Sequence, residues 1–143
     1  MKLSTGLRNA LLSGSSLKAA LAGGELRIYS GTVPATADDP IGSATLLTTI
    51  KNGSAGINFA AGAASGVLNK DASETWSGVN AASGAASFFR HVLAADTGLS
   101  STSAARIQGT VAVAGADLNL TSVALTSGAT QTVDFYSVAM PAG

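Results

Sequence analysis

After Gly24, hydrophobic and polar residues alternate with a period of two along most of the chain. Successive side chains of a β-strand point to opposite faces, so this alternation predicts half-buried strands. The strongest run places two phenylalanines side by side among apolar neighbours. The predicted strands cover residues 25–30, 43–50, 55–60, 86–93, 106–114 and 130–140, with a further extended pair between 118 and 125.

The first 24 residues follow a helical spacing instead. Ser4 is placed to cap one short helix, and Ser15 or Ser16 is placed to cap a second, which a pair of glycines ends. We therefore predict a helical arm over residues 1–24 and a β-sandwich over residues 25–143, within a single domain.

Turn-forming residues separate the predicted strands. Asn52-Gly53 is typical of a tight hairpin turn, because glycine and asparagine tolerate positive φ. Residues 61–84 mix Gly, Ser and Ala with few large apolar residues and predict no definite element. Seven to nine short strands after a helical lead-in predict an all-β fold, namely an antiparallel β-sandwich, jelly-roll-like, with a short N-terminal helical segment.

Small residues make up just over half of the chain, which has 28 Ala, 18 Ser, 17 Gly and 14 Thr. Each such side chain buries little apolar area, so the core is thin and the fold would gain from a partner surface. Charged residues are 11% of the chain and the formal net charge is zero. This balance argues against a nucleic-acid partner. No apolar run is long enough to cross a membrane, so we expect no membrane partner.

Residues able to carry out chemistry are few, since the chain has no Cys and one His. Ser15 and Lys18 match the S-x-x-K of serine acyl transferases, but the accompanying motifs are missing, which favours a helix cap beside a solvated lysine. Asp38 and Asp39 lack the spacing of a cation-binding loop. His91 has no nucleophile in a recognisable motif nearby. We therefore predict no enzyme, no cofactor and no metal site.

Aromatic residues offer two further binding hypotheses. The run Phe88-Phe89-Arg90-His91 could stack nucleic-acid bases, but at zero net charge a core or interface role is favoured. A sugar site would need exposed aromatic rings beside polar side chains. The pairs that fit this description are Trp76 with Asn80, and Tyr29 with Tyr136.

Two ordered sets of residues resemble a known family. The first is GELRIYSGT from Gly24, followed by PATADD from Pro34. The second is ASFFR from Ala86, then QGTV from Gln108 and ADLNL from Ala116. With KLS near the start and VAMP near the end, nearly the whole chain resembles a family of small virion-associated proteins of tailed bacteriophages and prophages. That family usually has Trp-Phe-Arg where this chain has Phe-Phe-Arg, a change that keeps an aromatic residue in the strand.

The resemblance implies the role of jelly-roll cement proteins, which lie on the outside of podovirus-type capsids and clamp neighbouring subunits, often as dimers. The expected partners are the major capsid protein and a second copy of this chain. The expected location is the virion exterior, after synthesis in the host bacterial cytoplasm. The alternative is a tail or tail-fibre component with a receptor- or carbohydrate-binding role.

The parts expected to reach a neighbour are the N-terminal helical segment and the 31–42 loop, because loops and termini are the freest parts of a domain. The candidate interface residues are Phe88, Phe89, Arg90 and His91 for self-association, and Asp38 and Asp39 for contact with the capsid.

Overall fold

The computed structural model of the protein describes residues 1–142 and consists mainly of β-strands. It confirms the predicted all-β, antiparallel fold with a short N-terminal helical segment; the last residue of the predicted 25–143 sandwich lies outside the described part. The helices are α1 (Thr5–Leu12) and α2 (Leu17–Ala20). The strands are β1 (Lys2–Leu3), β2 (Glu25–Ser30), β3 (Thr45–Asn52), β4 (Val67–Asn69), β5 (Trp76–Val79), β6 (Gly84–Ala85), β7 (Phe88–Val92), β8 (Arg106–Ala112), β9 (Leu118–Asn119), β10 (Ala124–Leu125), β11 (Thr130–Thr132) and β12 (Ser137–Ala139).

Eight of these strands form one large sheet. Its order is β1-β8-β7-β2-β3-β5-β11, and β9 joins it beside β8. Among the described strands, only the β8–β9 pair is parallel. The other four strands form two separate pairs, β6 with β10 and β4 with β12. This division into one large antiparallel sheet and two short strand pairs is consistent with the predicted all-β sandwich.

The two N-terminal helices begin where the sequence predicts. The side chain of Ser4 accepts a hydrogen bond from the backbone N–H of Leu7 (3.1 Å), and Ser16 accepts one from Ala19 (3.1 Å). Both are N-caps, which satisfy backbone donors that the first turn of a helix leaves free.

The first 24 residues are part of the core and not a free arm. Leu7 and Leu21 have no exposed area and pack in one cluster with Leu26, Phe89 and Ile107 of the large sheet. The strand that precedes the helices also pairs with β8. The expected freedom of this segment to reach a neighbour is therefore absent, because its leucines supply core area that a chain rich in small residues lacks.

The strand predicted over residues 55–60 does not form. Ile57 and Phe59 are buried, as the alternation requires, but each makes only an isolated bridge, to Gly24 and to Lys70 respectively. Because its two partners belong to different parts of the fold, this segment has no single neighbour along which a ladder could extend.

The tight turn predicted at Asn52-Gly53 lies one residue further along. Asn52 and Ala55 each donate a backbone N–H to the carbonyl of the other, at 3.1 and 3.0 Å, so Gly53 and Ser54 are the central residues. Gly53 has a φ of 61°, a conformation that glycine adopts without steric penalty.

The strand predicted over residues 130–140 is two strands, β11 and β12. The two strands have different partners. The N–H of Val133 donates to the carbonyl of Trp76, in register with the β11–β5 pair, and the carbonyl of Tyr136 accepts from the N–H of Lys70, in register with the β12–β4 pair, so the chain changes partner between residues 133 and 136. The stretch 61–84, for which the sequence predicts no definite element, supplies β4 and β5 and buries Trp76.

Candidate functional site

The face of the large sheet opposite the core carries polar side chains. The register places Arg27 of β2 beside Arg90 of β7, and Arg90 beside Gln108 of β8. Arg106 lies two residues before Gln108 on the same strand. Arg90, Arg106 and Gln108 are each 1% exposed. Buried cations need hydrogen-bond acceptors close by, because taking them out of water is otherwise very costly.

Two loops supply those acceptors and cover this face. We call residues 31–42 and 94–105 the loop layer. Arg90 donates through Nη2 to the carbonyl of Asp39 (2.7 Å) and through Nε and Nη2 to Oε1 of Gln108 (3.0 and 2.8 Å). Burial, and then the charge of the neighbouring arginine on β8, lowers the pKa of Arg90 from its ordinary value.

Arg106 ties the two loops of the layer to the sheet at one point. Its Nε donates to Oδ2 of Asp96 (2.6 Å), and this ion pair is almost fully buried. Its Nη1 donates to the carbonyl of Ala37 (3.2 Å), and its Nη2 to that of Leu99 (2.8 Å). One guanidinium therefore holds backbone from both loops, a use that its planar array of five donors suits well.

Arg27 extends the same arrangement to the other side of the layer. Its Nε donates to Oε1 of Glu25 (2.7 Å), while Nη1 and Nη2 donate to the carbonyls of Asp96 (2.7 Å) and Ala94 (3.2 Å). The loop layer is thus fixed by three arginines from three adjacent strands.

Asp38 and Asp39, the predicted capsid contacts, make hydrogen bonds inside the protein. Asp38 accepts from the backbone N–H of Thr5 (2.8 Å) and from its hydroxyl (2.6 Å), and this hydroxyl bond holds the pKa of Asp38 below its usual range. Asp39 accepts from the N–H and hydroxyl of Thr36 (2.8 and 2.9 Å). The carboxylates therefore shape the loop layer, and that of Asp38 also fastens the loop to the start of α1.

Phe88, Phe89, Arg90 and His91, the predicted self-association residues, lie inside the protein, with 1% exposure or less. The cause is the position of β7 in the middle of the sheet, with the loop layer over one face and the core over the other. Phe88 stacks on Tyr29 beneath the loop layer, with ring centroids 4.9 Å apart. These residues offer no surface to a partner, so they serve the fold.

His91 lies in an aromatic cluster on the core side of β7. Its ring centroid is 5.3 Å from that of Phe59, 5.7 Å from that of Tyr136 and 6.5 Å from that of Trp76. Within the described structure neither ring nitrogen makes a hydrogen bond of ordinary geometry, although the backbone of Leu21 lies close enough to favour the charged form slightly. Burial dominates and lowers the pKa of His91 to about 3, so the imidazole is neutral.

The aromatic residues proposed from sequence for a sugar site are buried. Tyr29, Trp76 and Tyr136 are at most 4% exposed, and Asn80, the polar partner of Trp76, is also 4% exposed. The exposed aromatic residue is Phe135, at 87%. Its exposure was not predicted, because a regular alternation over residues 130–140 places Phe135 on the same face as the buried Val133. Only the interruption between β11 and β12 turns the ring outward.

Two of the three arginines that hold the loop layer, Arg27 and Arg106, were not predicted as functional residues. Arg27 and Arg106 stand at alternating positions of predicted strands, and a charged residue there ordinarily indicates a solvated face. The pattern along one strand carries no information about a loop from elsewhere in the chain that covers it.

Within residues 1–142, no group of three or more His, Cys, Asp or Glu side chains is arranged to hold a metal ion. In the same part of the chain, neither helix is long and apolar enough to cross a membrane. Comparisons with protein-family models, curated proteins and solved structures find no match to this chain.

Proposed function

We propose that this protein is a bacteriophage capsid cement or decoration protein that binds the outside of the major capsid lattice and stabilises the shell without catalysis. The observation that carries the proposal is the loop layer, which buried arginines fix to a central sheet. The motif resemblance to virion-associated proteins supports the same role.

A fixed loop layer suits a permanent lattice contact. Loops that are ordered before binding lose little conformational entropy on association, so more of the contact energy remains as affinity. The outward residues of the layer are mostly small and uncharged: Thr32, Val33, Ala35, Thr36, Pro40, Leu99 and Ser100. Many modest contacts of this kind add up when one subunit touches several neighbours in a lattice. A protein that prefers the mature shell stabilises it by mass action.

Leu99 is the residue of the loop layer best placed to anchor such a contact. Its side chain is 66% exposed, while its carbonyl is held by Arg106. We expect Leu99→Ser to weaken binding to capsids that lack the protein, without lowering the melting temperature of the free protein. Leu12→Ser is the matched control, because Leu12 is also an exposed leucine, at 87%, but lies on α1. Equal binding of both variants to the capsids would show that the loop layer does not contact the capsid.

Copy number in purified virions tests the role itself. Mass spectrometry against the major capsid protein should give about one copy per capsid subunit if the protein decorates the lattice. A ratio of a few to a few tens per particle would overturn the proposal and favour the alternative of a tail or tail-fibre component.

The proposed partners include a second copy of the chain, in a homodimer or higher oligomer. Sedimentation of the free protein over a range of concentrations tests this directly. If the protein is a monomer at all concentrations, the proposed self-association is wrong, while the proposed capsid contact is unaffected.

A further inference from the structure

Phe135 is held in an exposed position by the backbone on both sides of it. The N–H of Val133 donates to the carbonyl of Trp76 (2.9 Å), and the carbonyl of Tyr136 accepts from the N–H of Lys70 (2.8 Å). Val133 and Tyr136 are buried, at 2% and 4% exposure, so both ends of the segment are anchored in the core. The ring is therefore presented to solvent in a fixed place, whereas the other six aromatic side chains of the protein are buried.

Two grooves meet at this ring. The larger encloses about 700 Å³ and is lined by Asn69, Asn119, Asp134 and Ser137 together with Phe135. The smaller encloses about 270 Å³, shares Asn119, Asp134 and Phe135 with the first, and continues along Val113, Thr121 and Thr132. An aromatic ring thus stands between two open grooves whose walls carry amide, hydroxyl and carboxylate groups.

Several of these polar groups are free to bind a ligand. The side chains of Asn69, Asp134 and Ser137 make no hydrogen bond with any other described residue. Asn119 accepts through Oδ1 from the N–H of Ala116 (3.1 Å), which leaves its amide donors unused. The side-chain groups that are free to bind a ligand therefore include both donors and acceptors, and they line the same groove as the ring of Phe135.

Charges of both signs surround the larger groove. The carboxylates of Asp117 and Asp134 and the ammonium group of Lys70 line it. Asp117 is paired with the amino group of Met1 (2.9 Å), and Lys70 donates to the carbonyls of Asp71 and Glu74. The carboxylate next to Phe135 in the chain, that of Asp134, disfavours an anion beside the ring.

We infer that this double groove is a binding site for a neutral saccharide. The carbon–hydrogen face of a hexopyranose ring would lie on Phe135, because an aromatic face attracts the polarised C–H groups of a sugar and removes apolar surface from water. The sugar hydroxyls, each both donor and acceptor, would pair with the amides of Asn69 and Asn119, the carboxylate of Asp134 and the hydroxyl of Ser137. The size of the larger groove suits a ligand of one to two sugar rings. This site is independent of the proposed capsid contact.

The test is a titration of the isotope-labelled protein with saccharides, followed by amide NMR signals. The probes are the methyl glycosides of glucose, galactose and mannose, a trimer of N-acetylglucosamine, and glucuronic acid as the acidic control, all at millimolar concentrations. We expect at least one neutral probe to shift signals of residues 69, 119 and 134–137 in a saturable way, and glucuronic acid to shift them less.

Substitutions at Phe135 decide whether the ring carries the binding. Phe135→Ala should weaken the best probe about tenfold, and Phe135→Trp should bind it at least as well as the natural residue, because a larger ring offers a larger stacking face. Asp134→Asn serves as a second variant; it should reduce the discrimination against glucuronic acid. Both positions are exposed, so melting temperatures should stay unchanged and report intact folding.

Two results would overturn the inference. One is the absence of saturable shifts with every neutral probe. The other is binding that Phe135→Ala leaves unchanged. If Phe135→Ala abolishes capsid binding or self-association while no probe binds, the exposed ring is a protein contact and not a sugar platform.

Discussion

The two faces of β7 bury their residues in opposite ways. On one face Phe89 and His91 lie among aromatic and aliphatic side chains, and the histidine is kept neutral. On the other face Phe88 and Arg90 lie beneath loops. Nε and Nη2 of the arginine donate to oxygen atoms, while its buried Nη1 has no partner among the described residues. The difference shows that a buried side chain keeps its charge only where backbone acceptors are close. The apolar face has none to spare, so a titratable group there gives up its charge.

The loop layer and the arginines depend on each other. A loop packed against a sheet leaves carbonyl groups without ladder partners, and a buried carbonyl needs a donor. Arg90 and Arg106 supply those donors, while the carbonyls and Asp96 make the buried charge tolerable. These buried polar contacts therefore stabilise the fold in addition to the thin hydrophobic core.

The largest expected effect comes from breaking the polar side of this comparison with Arg106→Ala. The change leaves the Asp96 carboxylate buried without its cation. Loss of one partner of a buried ion pair lowers the free energy of unfolding by about 3–5 kcal/mol. Urea unfolding should show a loss of that order.

Arg8→Ala is the control for this measurement, because Arg8 is exposed on α1; it should change the free energy of unfolding by about 0.5 kcal/mol or less. The double variant Asp96→Ala, Arg106→Ala should lose less than the sum of the single variants. An Arg106→Ala variant as stable as Arg8→Ala would show that the loop layer does not depend on this pair.

Phe89→Ala breaks the apolar side of the comparison. Phe89 has no exposed area and packs edge-on against Tyr136, with ring centroids 5.7 Å apart. Removing a buried phenylalanine side chain costs about 3–5 kcal/mol in transfer and cavity terms. Phe135→Ala is the matched control, since the same atoms are removed from an exposed position and stability should hardly change. Thermal unfolding of both variants measures the difference, and a similar melting temperature for the two would contradict the assignment of Phe89 to the core.

Acid should act on the apolar face through His91. The folded protein holds the pKa of this residue at about 3, against 6.5 for the free side chain, so protons bind only the unfolded chain between these values. Stability contributed by the neutral imidazole is complete above 6.5 and falls as the pH drops towards 3, by about 1.4 kcal/mol per pH unit. His91→Leu should flatten the pH dependence of unfolding in this window. Parallel curves for the two proteins would mean that His91 gains its proton while folded.

The sequence pattern predicted the strands of the large sheet better than the connections between them. Alternation located β2, β3, β7 and β8 because each is paired on both sides, with one register shift, between Ile28 and Tyr29 in the β2–β3 pair. It failed at residues 55–60, where the pattern of buried side chains is right but the backbone bridges two different neighbours. A period of two reports which side chains are buried, and does not report whether a continuous partner strand exists.

The candidate site was harder to predict than the fold, because burial by a distant loop leaves no local signal. Phe88–His91 were predicted to form a self-association interface, but all four residues are buried, and their mixture of charge and aromatic rings in one strand reflects its two covered faces. Phe135 had the opposite problem, since its sequence context is that of a core residue. In both cases the missing information is which segments, far apart in sequence, lie over the strand.

The smallest expected effect concerns the seam between the loop layer and α1. Asp38→Ala removes the acceptor for the N–H and hydroxyl of Thr5, at a cost of about 1 kcal/mol because water replaces part of the lost bonding. Asp39→Ala is the control, since its carboxylate bonds only to Thr36 within the same loop. Hydrogen exchange should become faster over residues 5–12 in the Asp38 variant alone, because local opening reports the loss of a tie between distant segments. Equal exchange in both variants would mean that the core leucines of α1, and not the loop layer, hold the helix in place.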